Sequence, residues 1–356
     1  MIGMEGDSAH VGPLPEGCQL CRRGSKMVLL VTGRCGSRCF YCPLSSRKRG
    51  RDLVFANELM VEHEDQVIEE AGMIDAEGTG ITGGDPLLVL ERTLRYVRML
   101  KGKFGEGHHV HLYTSTVDPD AFRSLQEAGL DELRVHPSME RWGSMGKTLE
   151  ELRESLDLSL GLEVPAVPGS ARALESLLRE ADEAGLDFVN LNELEFSETN
   201  WEALRERGMR VRGDTSSAAG GSEALALGML ELDLTIPRHY CSSSFKDRVQ
   251  LRRRIARRAG RVARPSDLVT DEGMLLKGVV ETDDPVGTGE MLHRDLEVPL
   301  DLMYLDLQKG RLEVAPWVLE EVAGDLDLPC YLVEEYPTAD RLEVERDPLN
   351  RAARRR

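Results

Sequence analysis

Three cysteines near the N-terminus have the types and spacing best suited to chemistry in this chain. Cys35, Cys39 and Cys42 form the pattern C-x3-C-x2-C, which directly follows the apolar run at residues 27–33. Three thiolates on one short loop can ligate three irons of a [4Fe–4S] cluster and leave the fourth iron open. The pattern therefore predicts a cluster with one iron that is free to bind a further ligand.

A structural zinc site is the alternative on these residues. Cys18 and Cys21 form one C-x2-C pair, Cys39 and Cys42 form another, and 17 residues separate the pairs, which is within the range of a zinc ribbon. This alternative leaves Cys35 without a role and wraps both pairs around a predicted strand. We favour the cluster, and we keep a non-catalytic zinc-ribbon protein that binds RNA as the competing hypothesis.

The elements that must position the cysteines follow a repeating pattern. Between residue 26 and about residue 237, short apolar strands alternate with amphipathic helices, which predicts six βα units and a parallel sheet. The predicted strands span 27–33, 78–84, 109–116, 132–137, 161–169 and 187–194. The predicted helices span 59–75, 87–103, 118–129, 147–160, 171–185 and 199–208, and a helix at 221–232 and a strand near 233–237 follow.

The alternation of side chains within these strands predicts a polar interior. In the third strand Val110 and Leu112 share one face, whereas His111 and Tyr113 share the other. A closed barrel fills its interior with branched apolar side chains, so polar inward rows favour an open barrel that holds a polar ligand. The predicted fold is therefore α/β, an incomplete (β/α)6 barrel.

The sequence divides into four segments. The first, rich in Gly and Pro, is predicted to be an irregular lead-in that carries Cys18 and Cys21, and the third is a basic helix with nine Lys or Arg against one acid. That helix could bind RNA or face the protein's own carboxylates. The segments are 1–25, the barrel at 26–245, the basic helix at 246–264 and a small β-rich C-terminal domain at 265–356, with strands near 273–282, 299–308, 329–336 and 341–346.

The cysteine motif, the aromatic Tyr41 before its last cysteine and the βα repeats together resemble the radical S-adenosylmethionine (radical SAM) superfamily over residues 26–240. The resemblance implies that Cys35, Cys39 and Cys42 hold the catalytic [4Fe–4S] cluster. It implies that the amino and carboxylate groups of SAM chelate the open iron. One electron then cleaves SAM to methionine and a 5′-deoxyadenosyl radical, which abstracts hydrogen from a substrate.

The same resemblance suggests further contacts to SAM. The segment ITGGDPLL at 81–88 stands where the family has a Gly-Gly-Glu-Pro-like motif whose backbone meets the SAM ammonium group. The segment GLEVPAVPG resembles the family's strand beside the adenine. Polar residues on other strands could bind ribose, carboxylate or substrate, or could satisfy local backbone groups. The cofactor candidates are Tyr41, Gly83, Gly84, Asp85 in place of the usual Glu, Tyr113, Thr114, Ser115, Val167, Asn190 and Asn192.

Three further cysteines suggest a second metal site. Cys241 lies just past the sixth βα unit, near the expected end of the barrel, so it could meet Cys18 and Cys21 in space. These thiolates could hold an auxiliary [4Fe–4S] cluster or zinc, with Cys330 considered as a fourth ligand.

The chain most resembles archaeal iron–sulfur proteins related to the pyruvate formate-lyase activating enzymes, which generate radicals on proteins. The resemblance implies a one-electron reductant of the ferredoxin or flavodoxin type and a protein or peptide substrate, with tRNA or a small metabolite as alternatives. The net charge of −18 and the lack of an apolar run of about 18 residues argue against a membrane partner. Seven cysteines, an odd number, and no recognisable secretory signal predict a cytoplasmic enzyme.

Overall fold

The computed structural model describes residues 1–355 and divides into two compact units, residues 1–251 and the residues from 252 onward. None of the helices in the described part of the chain combines the length and apolarity that a bilayer crossing requires.

The first unit is built on one sheet of eleven strands. Its spatial order is β1-β2-β11-β10-β9-β8-β7-β6-β3-β4-β5, and the seven central strands from β11 to β3 are parallel to one another. The edge strands β1 and β5 do not pair with each other, so the sheet is open. The strands are β1 Ile2–Gly3, β2 Ala9–Val11, β3 Lys26–Leu30, β4 Phe55–Ala56, β5 Leu59–Met60, β6 Gly78–Thr82, β7 His109–Thr114, β8 Glu132–Val135, β9 Ser159–Ala166, β10 Phe188–Glu193 and β11 Arg238–Cys241.

Six helices of the first unit, α2 to α6 and α8, cover one face of the sheet with their apolar sides. Leu94, Val97 and Leu100 of α3 are buried in the same core cluster as Val110 and Leu112 of β7. Burial of such side chains supplies most of the free energy that holds helix to sheet. The helices are α1 Glu16–Arg23, α2 Asp65–Met73, α3 Leu90–Phe104, α4 Pro119–Glu127, α5 Gly146–Ser155, α6 Ala171–Glu183, α7 Trp201–Glu206, α8 Ser222–Leu230 and the short α9 Ser243–Phe245, followed by a π-helical segment Lys246–Leu251.

The six predicted βα units occur in the predicted order, and three details differ. The helix predicted at 147–160 ends at Ser155, because β9 already begins at Ser159. The strand predicted near 233–237 is β11 at Arg238–Cys241, which adds a seventh parallel strand beside β10. The helix predicted at 59–75 begins only at Asp65, because Leu59–Met60 pairs as β5 with β4.

The expectation of an irregular lead-in at 1–25 is wrong. Ala9–Val11 pairs antiparallel with β11, and Glu16–Arg23 forms a helix. The Gly and Pro residues mark the ends of this helix, since Pro15 stands at its N-cap and Gly24 ends it in the left-handed conformation with φ 70°. These residues act as helix boundaries rather than as signs of irregular chain.

The second unit begins inside the segment predicted as one basic helix at 246–264. Its first helix is α10 Arg252–Val262, and a six-stranded sheet follows in the order β14-β15-β13-β16-β17, with β12 paired to β13. The prediction missed two strands, β12 and β15, and three helices, α11, α12 and α13, although Asp284 and Pro285 form an ordinary helix start. The elements are β12 Leu268–Val269, β13 Leu275–Val280, α11 Pro285–Asp295, β14 Met303–Asp306, β15 Arg311–Val314, α12 Pro316–Val322, β16 Cys330–Glu335, β17 Glu343–Pro348 and α13 Arg351–Arg354.

A buried network of charges lies in the second unit. The Lys277 ammonium, 2% exposed, lies 2.7 Å from a Glu335 oxygen and 3.3 Å from a Glu313 oxygen. Arg311 and Arg341 also contact both glutamates. Removing one member of such a network leaves buried charges without compensation, which is costly.

Candidate functional site

The three cysteines of the C-x3-C-x2-C motif line one cavity of about 680 Å³, which we call the loop cavity. Cys35 is exposed, and Cys39 and Cys42 are half-buried. The other walls come from the carboxyl ends of β6 to β10, where open α/β sheets bind their ligands. Among the cofactor candidates, the cavity is lined by Tyr41, Gly83, Gly84, Tyr113, Thr114, Ser115 and Asn192.

The cysteine loop is held in place by the chain segment after β10. The Asn200 side-chain amide donates to the Tyr41 carbonyl at 3.1 Å, and the Thr199 hydroxyl contacts the carbonyls of Cys42 at 3.3 Å and Leu44 at 2.9 Å. Asn200 is 1% exposed, so its bonds are shielded from water. The segment ELEFSETN at residues 193–200 therefore supports the backbone of the cysteine loop.

The glycine pair lets the loop after β6 approach the cysteine loop closely. The Gly84 N–H donates to the Thr32 carbonyl at 2.7 Å. A Cβ at Gly84 would lie 2.1 Å from the Arg34 carbonyl oxygen, and one at Gly83 would lie 2.5 Å from the Thr32 carbonyl oxygen. Because backbone oxygens cannot move aside as flexible side chains can, larger residues would separate these two loops.

Asp85 does not line the loop cavity, contrary to its prediction as a cofactor contact. Its carboxylate is 1% exposed and accepts five hydrogen bonds, which saturate its lone pairs. The Asp85 acceptors therefore join the loop after β6 to the end of β7. The donors are the backbone N–H groups of Leu87 and Thr116 and the hydroxyls of Thr114, Ser115 and Thr116.

Val167 is also displaced from its predicted role. It is 2% exposed and belongs to an apolar cluster with Tyr41, Leu194 and Phe196. Tyr41 and Leu194 line the cavity, whereas Val167 does not. Pro165, near the end of β9, lines the cavity instead. Pro165 shares the inward face of β9 with Glu163. The strand ends at Ala166, and the Val167 N–H donates a hydrogen bond to the Pro165 carbonyl at 3.1 Å, so the chain turns there and the strand alternation does not extend to Val167.

Glu163 organises the polar residues below the loop cavity, and the sequence prediction missed it. Its Oε1 accepts from the side-chain amides of Asn190 and Asn192, both at 2.6 Å, and its Oε2 accepts from the Arg134 guanidinium at 2.8 Å. Asn192 reaches the loop cavity, whereas Asn190 does not. The sequence does contain a clue to Glu163, because the alternation of the strand places it on the same face as Gly161 and Pro165, which points inward.

A second cavity of about 230 Å³, which we call the strand cavity, lies among the parallel strands and α1. Cys18, Cys21 and Cys241 all line it, as their predicted proximity requires. Both terminal nitrogens of Arg134 lie 3.5 Å from the Cys18 Sγ. Cys330 belongs to the second unit, where its thiol donates to the Leu328 carbonyl at 3.3 Å.

Burial sets the protonation of the aromatic groups beside the cysteine loop. Burial raises the pKa of Tyr41 and lowers the pKa of His136, so both are neutral near pH 7. The His136 Nδ1 lies 2.6 Å from the Glu163 carbonyl and must donate to it, so its Nε2 accepts from the Tyr41 hydroxyl at 3.0 Å. Burial also raises the pKa of the Cys39 thiol, so iron must displace its proton.

The zinc-ribbon alternative gains no support from this geometry. Thiolates bound to one zinc ion at about 2.3 Å lie roughly 3.8 Å from each other. Among residues 1–355, the only three His, Cys, Asp or Glu side chains whose ligand atoms lie within 4.8 Å of one another are those of His109, His111 and Glu132, and no cysteine is among them. The two C-x2-C pairs instead line two different cavities.

Comparisons with known proteins agree with the position of the cysteine motif. The model of the radical SAM superfamily matches residues 29–139, and the model of a domain of unknown function, DUF8061, matches residues 273–349. A Methanocaldococcus jannaschii protein that carries the provisional name glycyl-radical enzyme activating enzyme is 38% identical over 355 residues, covering 94% of this chain and 93% of its own.

A solved structure of a radical SAM methyltransferase, TsrM from Kitasatospora setae with cobalamin and a [4Fe–4S] cluster, is similar with a TM-score of 0.38 and 14% identity. The match covers 64% of this chain and 51% of that chain. The family model and the archaeal relative together identify the chain: it belongs to the radical SAM superfamily as an activating-enzyme-like enzyme, whose cofactors are a [4Fe–4S] cluster and SAM.

Proposed function

We propose that this enzyme generates a radical on a protein or peptide substrate at the loop cavity, with Cys35, Cys39 and Cys42 as the ligands of its catalytic cluster. The observation that carries the proposal is that these three cysteines line the same cavity as the Gly83–Gly84 backbone. The name of the archaeal relative, an activating enzyme of glycyl-radical enzymes, supports a protein substrate.

The residues around the loop cavity fit a cluster and SAM. A volume of about 680 Å³ lies within the range of cofactor pockets, and the thiols are the ligands that iron–sulfur clusters use. When bound, the cluster and SAM supply a 5′-deoxyadenosyl radical. The chain would contribute the Gly83–Gly84 backbone and the polar groups of Tyr113, Ser115 and Asn192 to hold SAM, while Asp85 positions Ser115.

The fold proposed for this site is an incomplete barrel. Residues from the ends of five consecutive parallel strands and from the cysteine loop after β3 surround one cavity, which favours a curved sheet over a flat one. The six βα units plus β11 then form the barrel wall, and the unpaired edges leave an opening for a substrate.

The decisive test of the cofactor assignment is SAM cleavage by anaerobically reconstituted protein. We expect a brown protein that absorbs near about 400 nm and releases 5′-deoxyadenosine from SAM on reduction. Cys35→Ala should abolish the release, whereas Cys330→Ala, a cysteine of the second unit, should retain it. A colourless protein with stoichiometric zinc and no cleavage would refute the proposal.

The substrate class is tested by fractionating an extract of the source cells. We expect the extract to accelerate 5′-deoxyadenosine release, and we expect protease treatment of the extract to remove the acceleration. Loss after ribonuclease treatment would indicate tRNA, and acceleration that passes an ultrafilter would indicate a small metabolite. Either result would contradict the protein substrate.

The proposed electron donor is a ferredoxin or flavodoxin, since cleavage of SAM consumes one electron. A cytoplasmic location suits the seven cysteines, all of which are unpaired thiols in the structure. Reduced ferredoxin or flavodoxin should support cleavage in place of a chemical reductant, and failure of both proteins would exclude this donor class.

A further inference from the structure

We propose that Cys18, Cys21, Cys241 and His239 hold a second [4Fe–4S] cluster in the strand cavity. This proposal goes beyond the SAM-cleaving site and does not depend on its substrate. The fourth ligand, His239, replaces Cys330, which was considered from sequence.

The side chain of His239 has the features of an unoccupied ligand. It is 3% exposed, and neither of its ring nitrogens has a hydrogen-bond partner among the described residues. Buried polar atoms almost always have partners, so two orphaned nitrogens on one ring need an explanation. His239 and Cys241 stand two residues apart on β11 and therefore share the face that lines the strand cavity.

The spread of the four side chains favours a cluster over a single ion. A tetrahedral zinc ion would bring its sulfur and nitrogen ligands within about 4 Å of one another. In the described chain no three of these four ligand atoms lie within 4.8 Å of one another. A core of four irons and four sulfides is wider than one ion and bridges ligands set farther apart.

The buried Lys26 ammonium suits an anionic cluster beside the cysteines, and Arg134, whose charge is compensated by Glu132 and Glu163, offers hydrogen bonds to it. The Lys26 ammonium is 6% exposed and donates to the Tyr113 hydroxyl at 3.3 Å, and it has no carboxylate partner within the described residues. The Arg134 guanidinium directs both terminal nitrogens at the Cys18 Sγ. Thiolates bound to iron would give Lys26 a counter-charge and would accept hydrogen bonds from the Arg134 guanidinium, as cluster sulfurs commonly do.

The second site lies next to the first. The two cavities share Thr82, Tyr113, Glu163, Asn192 and Lys246 as lining residues. Glu163 thereby contacts residues of both cavities, so a cluster in the strand cavity would lie directly behind the wall of the SAM site.

The test isolates the second cluster by removing the first. The variant with Cys35, Cys39 and Cys42 all changed to Ala should keep about four irons and four sulfides per chain after anaerobic reconstitution. Adding Cys241→Ala should lower the iron below about one per chain, whereas adding Cys330→Ala should leave it unchanged. An iron-free triple variant, or zinc in place of iron, would overturn the proposal, while SAM cleavage by the wild type would still test the proposed function separately.

The role of His239 is tested in the same triple variant. Its reduced cluster should show a ¹⁴N hyperfine coupling by pulsed paramagnetic resonance, and the coupling should vanish in His239→Cys while the iron content is retained. His108→Gln changes a buried histidine whose Nε2 already contacts the Thr79 hydroxyl at 2.9 Å, so it should keep the coupling. A coupling that persists in His239→Cys, or loss of iron in that variant, would refute ligation by His239.

Discussion

Asp85→Asn is the substitution that most directly tests how the SAM site is positioned. The variant keeps the size of the side chain but removes the charge and turns one acceptor oxygen into an NH2 donor. In either orientation that NH2 faces a backbone N–H, of Leu87 or of Thr116. The consequence should reach Ser115, whose hydroxyl lies 3.0 Å from that of Ser37 in the cysteine loop.

The magnitude follows from the five bonds to Asp85. The orientation of lower energy places the NH2 at the Oδ2 position. There the Ser115 and Thr116 hydroxyls can rotate to accept hydrogen bonds from the NH2, and the Thr116 N–H keeps its hydrogen bond to the Thr114 hydroxyl at 3.1 Å. The remaining cost is the loss of charge assistance and one opposed pair of donors, about 2 kcal/mol. For a unit of this size, that should lower the unfolding midpoint by about 4–8 °C.

The assays are thermal unfolding of the reconstituted protein and the rate of 5′-deoxyadenosine release. If the whole 2 kcal/mol reaches the transition state, the rate falls by up to about 30-fold. Asp118→Asn is the matched control, because Asp118 is an exposed N-cap of α4 and Asn caps helices equally well. Wild-type values for Asp85→Asn in both assays would refute the positioning role.

Three other substitutions test separate parts of the structure. Gly84→Ala should lower the rate of SAM cleavage by more than about tenfold, because the added Cβ would lie 2.1 Å from a backbone oxygen. Gly72→Ala in α2 is the control, because a Cβ there has no atom within 4 Å, and it should keep the wild-type rate. Equal rates in the two variants would contradict the prediction. Lys277→Met should destabilise the protein by about 3–5 kcal/mol in chemical unfolding, because two buried glutamates lose their ammonium partner; unchanged stability would count against it. Burial lowers the pKa of His108 to about 4, so the unfolded chain binds the extra proton between pH 6.5 and 4. The free energy of unfolding of the wild type, measured by chemical unfolding, should therefore fall by up to about 3 kcal/mol as the pH falls through that range. The fall should be smaller in His108→Gln. Parallel curves of unfolding free energy against pH for the two proteins would show that His108 is not responsible.

Much of the parallel sheet was predictable because its signals are local. The strands β7 to β10 each carry their own apolar alternation, β3 carries a continuous apolar run, and helix starts such as Asp118 before Pro119 are encoded by adjacent residues. The four-residue β11 carries arginine, histidine and cysteine, so its sequence resembles a loop. His239 and Cys241 face the strand cavity, whereas Arg238 donates hydrogen bonds to the backbone carbonyls of Leu232 and Leu234.

The candidate site was predictable where a motif is contiguous and not where it depends on distant strands. The cysteine loop and the glycine pair are each complete within a few residues. The role of Glu163 depends on Arg134 one strand away and on two asparagines on the other side. Asn200 is separated from Tyr41 by 159 positions, and no local pattern reports that contact.

The support that Thr199 and Asn200 give to the cysteine loop bears on repair after oxidative damage. A free eight-residue loop would lose about 1 kcal/mol or more of conformational freedom per residue on closing around iron. Here folding has already fixed the loop through bonds to its backbone carbonyls, so loss of iron to oxygen need not collapse the site. Protein stripped of its cluster by air, then reduced and resupplied with iron and sulfide, should recover SAM cleavage without being unfolded, and Asn200→Ala should slow that recovery.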